Sequence, residues 1–142
     1  MHRVESRLAA KADLSAKTLL EGNSVFQEFK GALTEQYVQQ LLRAECDLQP
    51  AYWSRENGSA EVDFLFQSED AVIPIEVKAE KNLQAKSLNV YCSHFHPPFS
   101  VRTSMSDYRT SQRTVDGHTC NLIDLPLYAI DRIRKECGDC AQ

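Results

Sequence analysis

Charges placed inside apolar strands constrain this chain more than any other feature. The segments Glu61-Val62-Asp63-Phe64-Leu65-Phe66 and Ile73-Pro74-Ile75-Glu76-Val77-Lys78-Ala79 read as neighbouring β-strands. Successive side chains in a strand alternate between faces. Glu76 and Lys78 therefore share one face, opposite Ile75 and Val77. Asp63 shares a face with Glu61 and Leu65, opposite Val62, Phe64 and Phe66. Charges on strands this apolar cost stability unless they are paired or bind something.

The connection sharpens the point. Ser68-Glu69-Asp70-Ala71 is the only polar break between the two segments. If Glu69 and Asp70 form a two-residue hairpin loop, Ser68 faces Ala71, and facing residues have numbers that sum to 139. Asp63 then lies opposite Glu76. Carboxylates facing each other across a ladder are about 5 Å apart at Cβ and repel. A divalent cation turns that repulsion into ligation, because hard oxygen ligands suit magnesium and manganese. The same register sets Glu61 opposite Lys78, which allows a plain surface ion pair. One extra loop residue would move every side chain to the other face.

Upstream, Ser24 to about Ala44 reads as a helix. Phe26, Phe29, Leu33, Tyr37 and Leu41 recur at three- and four-residue steps and form the expected core stripe. Glu35 falls on a second line with Gly31, Val38 and Leu42. That line is mostly apolar or small, so Glu35 is expected to be part-buried.

Further elements follow in order. Pro50 to Arg55 reads as a short strand with Tyr52 and Trp53, which are expected to be core or strand-face aromatics, and Asn57-Gly58 is a hairpin signal. Gln84 to about Phe95 reads as a helix with Leu88, Tyr91, Cys92 and Phe95 on one face. Phe99 to Thr103 reads as a strand after Pro97-Pro98, Ser104 to Thr119 as polar loop, and Asn121 to Leu125 as one more strand. Leu127 to Lys135 reads as a final short helix, with Gly138 as a stop. The expected fold class is α/β, an αβββαβ core with a mixed central sheet flanked by helices. The expected domain covers residues 21–135, with an N-terminal arm or remnant helix over 1–20 and a tail over 136–142.

An αβββαβ core with a helical Glu35, then Asp63, then Glu76-Val77-Lys78 resembles the PD-(D/E)xK nuclease superfamily and its restriction-endonuclease-like fold. That superfamily includes archaeal Holliday-junction resolvases and many restriction enzymes. More closely, Gly31-Ala-Leu-Thr-Glu35, Tyr52-Trp53, Glu61-Val-Asp63-Phe, Pro74-Ile-Glu76-Val-Lys78-Ala, Lys86-Ser-Leu88, Val101-Arg-Thr103 and Leu125-Pro-Leu-Tyr128 look like an uncharacterised domain at the C-terminus of many prokaryotic AAA-type ATPases. The resemblance runs from about Leu20 to Ile130. A Glu-x-Lys triplet alone is common by chance; the ordered set is far more specific.

The resemblance implies a metal site at Asp63 and Glu76 that takes Mg2+ or Mn2+. It implies that Lys78 activates water or stabilises the transition state, and that Glu35 completes the site or holds its waters. Phosphodiester cleavage needs a metal-activated water and neutralisation of developing oxyanion charge, and two carboxylates with an ammonium on adjacent strands supply both. Two departures stand out. Glu80 sits where many relatives of the ATPase-linked domain have glycine, and residues 1–142 do not include the usual N-terminal ATPase. With five glycines and no Gly-x-x-x-x-Gly-Lys-Ser/Thr motif, the chain has no P-loop and is expected not to bind ATP.

Length and composition fit one soluble domain: 142 residues, 42% hydrophobic and 25% charged. No run approaches a membrane span, the N-terminus has no apolar signal core, and nothing repeats at a fixed period. Five cysteines without a secretory signal point to reduced thiols in a cytoplasm. Cys137-Gly-Asp-Cys140 has metal-ligand spacing, to which His118-Thr-Cys120 would add a second pair; Cys92 reads instead as a buried thiol. The net charge of −4 does not favour generic nucleic-acid binding. Residues 78–113, however, hold six cations against two acids, a balance of +4. Lys81, Lys86 and Arg102 are the expected contacts of this face with a phosphate backbone; the plain alternative is a solvated surface. Two functions are therefore expected. One is a nuclease-like DNA-processing domain with a divalent-metal site. The other is a non-catalytic accessory, dimerisation or DNA-binding domain that partners a separate AAA-type ATPase or a second copy of itself. In the second, the charged residues form a structural ion-pair network or a site that has lost its activity.

Overall fold

The computed structural model of the chain describes residues 24–46, 51–68, 71–79 and 84–137, the side chains of 24–28 and 45 excepted. The expected arm over 1–20, Lys81 and Cys140 lie outside these. The chain divides into two compact units, Met1–Ala32 and Leu33–Gln142. Of the first, the described residues are helical. The second carries the sheet and every residue discussed below.

The elements are α1 (Ser24–Cys46), β1 (Ala51–Ser54), β2 (Glu61–Gln67), β3 (Val72–Val77), α2 (Lys86–Phe95), β4 (Phe99–Ser104), β5 (Arg109–Val115) and β6 (His118–Pro126). A 3₁₀ turn, Leu127–Arg132, then leads into a short helix α3, Ile133–Glu136. The six strands form one mixed sheet in the order β1-β2-β3-β4-β6-β5. β3 pairs with β4 and β4 with β6 in parallel; the remaining pairs are antiparallel. This is the expected mixed α/β class, extended by a hairpin.

The hairpin of β2 and β3 has the register read from the turn. Phe64 faces Ile75, Leu65 faces Pro74, Phe66 faces Ile73 and Gln67 faces Val72, so every pair sums to 139. Pro74 sits without cost in an inner strand. Val77 turns its N–H toward β2 and Lys78 toward β4; by alternation, Pro74 lacks an N–H on the β4 side. There the ladder begins one residue later, at Ile75.

Two expectations are corrected. Residues 104–119 are not all loop, because Arg109–Val115 is an edge strand. Its hairpin with β6 turns at Asp116-Gly117, both at positive φ (49° and 81°), with Val115 facing His118. Asp-Gly is among the strongest local signals for such a turn; the polar composition of an exposed edge strand concealed it. The second correction concerns α1. Leu33 and Tyr37, placed on the core stripe, are 37% and 44% exposed. The face that meets the sheet is Val38, Leu42 and Cys46, all buried, with Leu41 packed at its margin.

The main core lies on this side. Val38 and Leu42 pack with Phe64, Phe66, Ile73, Ile75, Val101, Ile123 and Leu125 of the sheet, and with Ile130 and Ile133 of the C-terminal turns. The sheet's other face meets α2. Leu88 and Ala85 cluster with Leu122, and Trp53 stands edge-on to Tyr91 and Phe95 at 5.3 and 5.9 Å. Trp53 is thus a packing aromatic as expected, whereas Tyr52 is exposed. Among the described residues no helix is long and apolar enough to cross a membrane.

Candidate functional site

Alternation along β3 places Glu76 and Lys78 on the α2 face of the sheet. The Lys78 Nζ lies 2.6 Å from Glu76 Oε1, a pair formed at two-residue spacing across the end of β3. Lys78 is therefore engaged by Glu76, not by Glu61 across the ladder. Glu76 is 6% exposed, and its second oxygen, Oε2, is buried with no hydrogen-bond partner. An unpartnered carboxylate oxygen inside a protein is costly and marks a place where a cation or donor would be favoured.

Asp63 closes the hairpin ladder in an unusual way. Continued one step past Phe64 and Ile75, the register sets Asp63 opposite Glu76. Here a side chain takes the place of a strand carbonyl: Asp63 Oδ2 accepts the Val77 N–H at 2.7 Å. Burial above all, and then the charges of Glu76 and Glu35, push the Asp63 carboxyl up, the Val77 hydrogen bond and Lys78 pull the other way, and the net value is about 7. Burial and two like charges outweigh one hydrogen bond and one cation.

Glu35, on α1, is near enough for its charge to act on Asp63 and for that of Glu76 to act on it. It sits three residues before Val38 and seven before Leu42, at the end of the buried face. The residue as a whole is exposed, contrary to the part-buried position expected. Its carboxyl is nevertheless held above the usual range by partial loss of solvent and then by Glu76, with Lys78 opposing. Carboxylates from three separate elements, α1, β2 and β3, thus act on one another, with one ammonium among them.

A cleft of about 320 Å³ opens beside this cluster, lined by Glu76, Lys78, Gln84, Lys86 and Ser87. Ser87 also accepts the Glu61 backbone N–H at 3.3 Å, tying the start of α2 to β2. A larger hollow of about 740 Å³, lined by Trp53, Arg55, Asn89 and His94 among others, lies between β1 and α2 and holds none of the clustered carboxylates. The chemistry therefore points to the smaller cleft.

The donor set suits a hard divalent cation: oxygen ligands only, one of them orphaned, all mutually repelling. It is not a closed cage. Among the described residues no three His, Cys, Asp or Glu side chains already stand together as a ligand set. Asp63 is held by Val77 and Glu76 by Lys78.

The expected nucleic-acid contacts separate. Lys86, the first residue of α2, is exposed and lines the cleft. Arg102 does not belong on a phosphate-binding surface: it is 2% exposed, with Nε 2.6 Å from Asp124 Oδ1. Sequence reasoning missed Asp124, although Leu122-Ile123-Asp124-Leu125 shows the same charge-in-a-strand signal as Asp63 and Glu76. Of the zinc clip weighed for the cysteines, Cys140 lies outside the described residues, and the other members have partners elsewhere. Cys120 faces Cys92, with Sγ atoms 3.7 Å apart, Cys137 belongs to the main core, and His118 stacks on His96.

A mixed α/β domain with a carboxylate–lysine cluster at the end of a strand hairpin is the class these observations define. The chain belongs to the DUF4143 family, a domain of unknown function, whose model matches residues 30–128. No curated protein matches the chain.

Proposed function

We propose that this chain is a nuclease-like DNA-processing domain that hydrolyses phosphodiesters with a divalent metal. The carrying observation is the placement of Asp63 and Glu76 at the end of adjacent strands beside Lys78, with Glu76 Oε2 buried and unpartnered and the charge of Glu35 acting on Asp63. Asp63 and Glu76 would hold Mg2+ or Mn2+, with Glu35 completing the site. A cation there would supply a water of lowered pKa and offset charge on the phosphate oxygens. Lys78, paired to Glu76, would steady negative charge that develops nearby. Lys86 at the cleft would receive the phosphate chain.

Calorimetric titration with MnCl2 tests the reading without a choice of substrate. Saturable binding that Glu76→Gln abolishes is expected; no binding by the unaltered protein would sink it.

A second reading, an accessory domain for an AAA-type ATPase, rests on a different observation. Tyr37, Met105 and Tyr128 are exposed around a hollow of about 280 Å³ that Ser104, Pro126 and Leu127 also line. Exposed aromatics beside a hollow suit a protein partner. Loss of ATPase association on Tyr128→Ala, with no metal binding, would favour it.

A further inference from the structure

The sheet register places four charges in one row. Glu76 faces Arg102, Arg102 faces Asp124, and Asp124 faces Arg109, on β3, β4, β6 and β5 in turn. Residues directly opposite on neighbouring strands share a face and lie about 5 Å apart. Three of the four are buried: Glu76 at 6%, Arg102 and Asp124 at 2% each. Asp124 is gripped from both sides. Its Oδ1 accepts Arg102 Nε at 2.6 Å, and its Oδ2 accepts Arg109 Nη2 at 3.2 Å and Nε at 3.3 Å. Arg109 reaches solvent, its side chain 64% exposed.

One detail of this row needs a cause. A buried carboxylate oxygen facing a guanidinium is ordinarily captured by it, because the planar fork of arginine matches a carboxylate. Glu76 Oε2 has no such partner, although Arg102 is its neighbour across the ladder. Asp124, on the far side of Arg102, competes for the same guanidinium and holds its Nε.

We propose that Asp124 is a positioning residue for the candidate metal site: it holds Arg102 toward β6 and so keeps the inner oxygen of Glu76 open to a cation. The proposal rests on the metal reading above and adds to it a residue outside the ligand set. Without the Asp124 charge, Arg102 keeps a buried positive charge, and its neighbour on the β3 side is the Glu76 carboxylate. The guanidinium then occupies Oε2 and excludes the cation. Arg109 supports the arrangement by taking the other Asp124 oxygen, so that Asp124 is not left half-satisfied.

The test is Mn2+ titration of the full chain and three variants, each checked for folding by circular dichroism. Asp124→Asn should weaken Mn2+ binding by on the order of tenfold or more, as loss of groups that orient metal ligands does. The double variant Arg102→Met with Asp124→Leu removes both charges and should return affinity to within about threefold of the unaltered protein. A purely structural role for Asp124 would leave the double variant no better than the single one. Arg102→Met alone keeps Asp124 paired with Arg109 and should bind at least as tightly as the unaltered protein. It carries the test if Asp124→Asn does not fold, and weakened binding would overturn the proposal. So would an Asp124→Asn variant that folds and binds normally.

A readout without metal separates this proposal from the metal reading. In Asp124→Asn, the Arg102 Nε–H resonance should respond strongly to Glu76→Gln, and in the unaltered protein it should respond much less. If that coupling appears while no variant binds Mn2+, the metal reading fails and the hold on Arg102 stands. If the coupling is absent, the hold itself is refuted.

Discussion

The Asp63 carboxylate accepts the backbone N–H of Val77 at 2.7 Å, standing in for the carbonyl of a regular ladder. One side chain thus ends the pairing of β2 with β3 and brings its charge to the point where Glu76 and Lys78 emerge. The hydrogen bond does not compensate for burial and the two neighbouring carboxylates, so Asp63 titrates near neutrality at about 7.

That shift has a sign for stability. The ordinary value is 3.8 and the folded value is higher, so the folded state holds the proton more tightly. The stabilising contribution is complete below about pH 4 and is lost as pH rises through about 7. Asp63→Asn keeps an oxygen for the Val77 N–H and removes the charge. Without metal it should raise Tm at pH 8 by roughly 5 °C, at ~2–4 °C per kcal/mol for a chain of this size, and leave Tm at pH 4 nearly unchanged. Thermal melts at both pH values decide it; a lower Tm at pH 8 would place Asp63 in a stabilising ion-pair network.

Divalent metal should offset the same repulsion. A cation that binds only the folded state adds RT ln(1 + [L]/Kd), about 2.7 kcal/mol at 100 times Kd. Millimolar MgCl2 or MnCl2 should therefore raise the Tm of the unaltered protein and leave that of Glu76→Gln flat. Equal gains in both would show that the ion acts elsewhere.

Cleavage, if the proposed activity holds, divides the cluster by role. Asp63→Ala and Glu76→Ala should abolish nicking of branched or single-stranded DNA. Lys78→Ala should lower the rate roughly 10²-fold with metal affinity kept. Lys86→Ala should weaken DNA binding and reduce the slope of log K against log salt by about 0.9. Cleavage that persists in chelator would refute the assignment.

The buried face of α1 makes a prediction independent of function. Leu42→Ala should cost about 2–5 kcal/mol, as a cavity in a packed core does. Tyr37→Ala, on the face first expected to be core, should cost less than about 1 kcal/mol. Denaturant unfolding of the two variants tests the choice directly.

The sequence by itself determined the order of the elements through β4, the register of the β2–β3 hairpin and the alternation that sets Glu76 beside Lys78. These are local quantities. A two-residue turn and a period of two leave one pairing that buries Phe64, Phe66, Ile73 and Ile75 together. Tertiary structure decided what local pattern leaves open. On α1 two lines of similar hydrophobicity compete, Leu33-Tyr37-Leu41 and Val38-Leu42-Cys46, and the sheet took the narrower one. Glu35 was thereby carried to the edge of the carboxylate cluster, not into the protein. The strand β5 is polar because it closes an edge, so its pairing with β6, not its own composition, makes it a strand. Arg102 looked like a surface cation because nothing near it in the sequence neutralises it. Its partner Asp124 arrives 22 residues later, through a parallel pairing across strands that no local period records. Only the packed sheet, which buries the two side chains and brings them to 2.6 Å, turns that arginine from a surface charge into a buried member of the row that ends at Glu76.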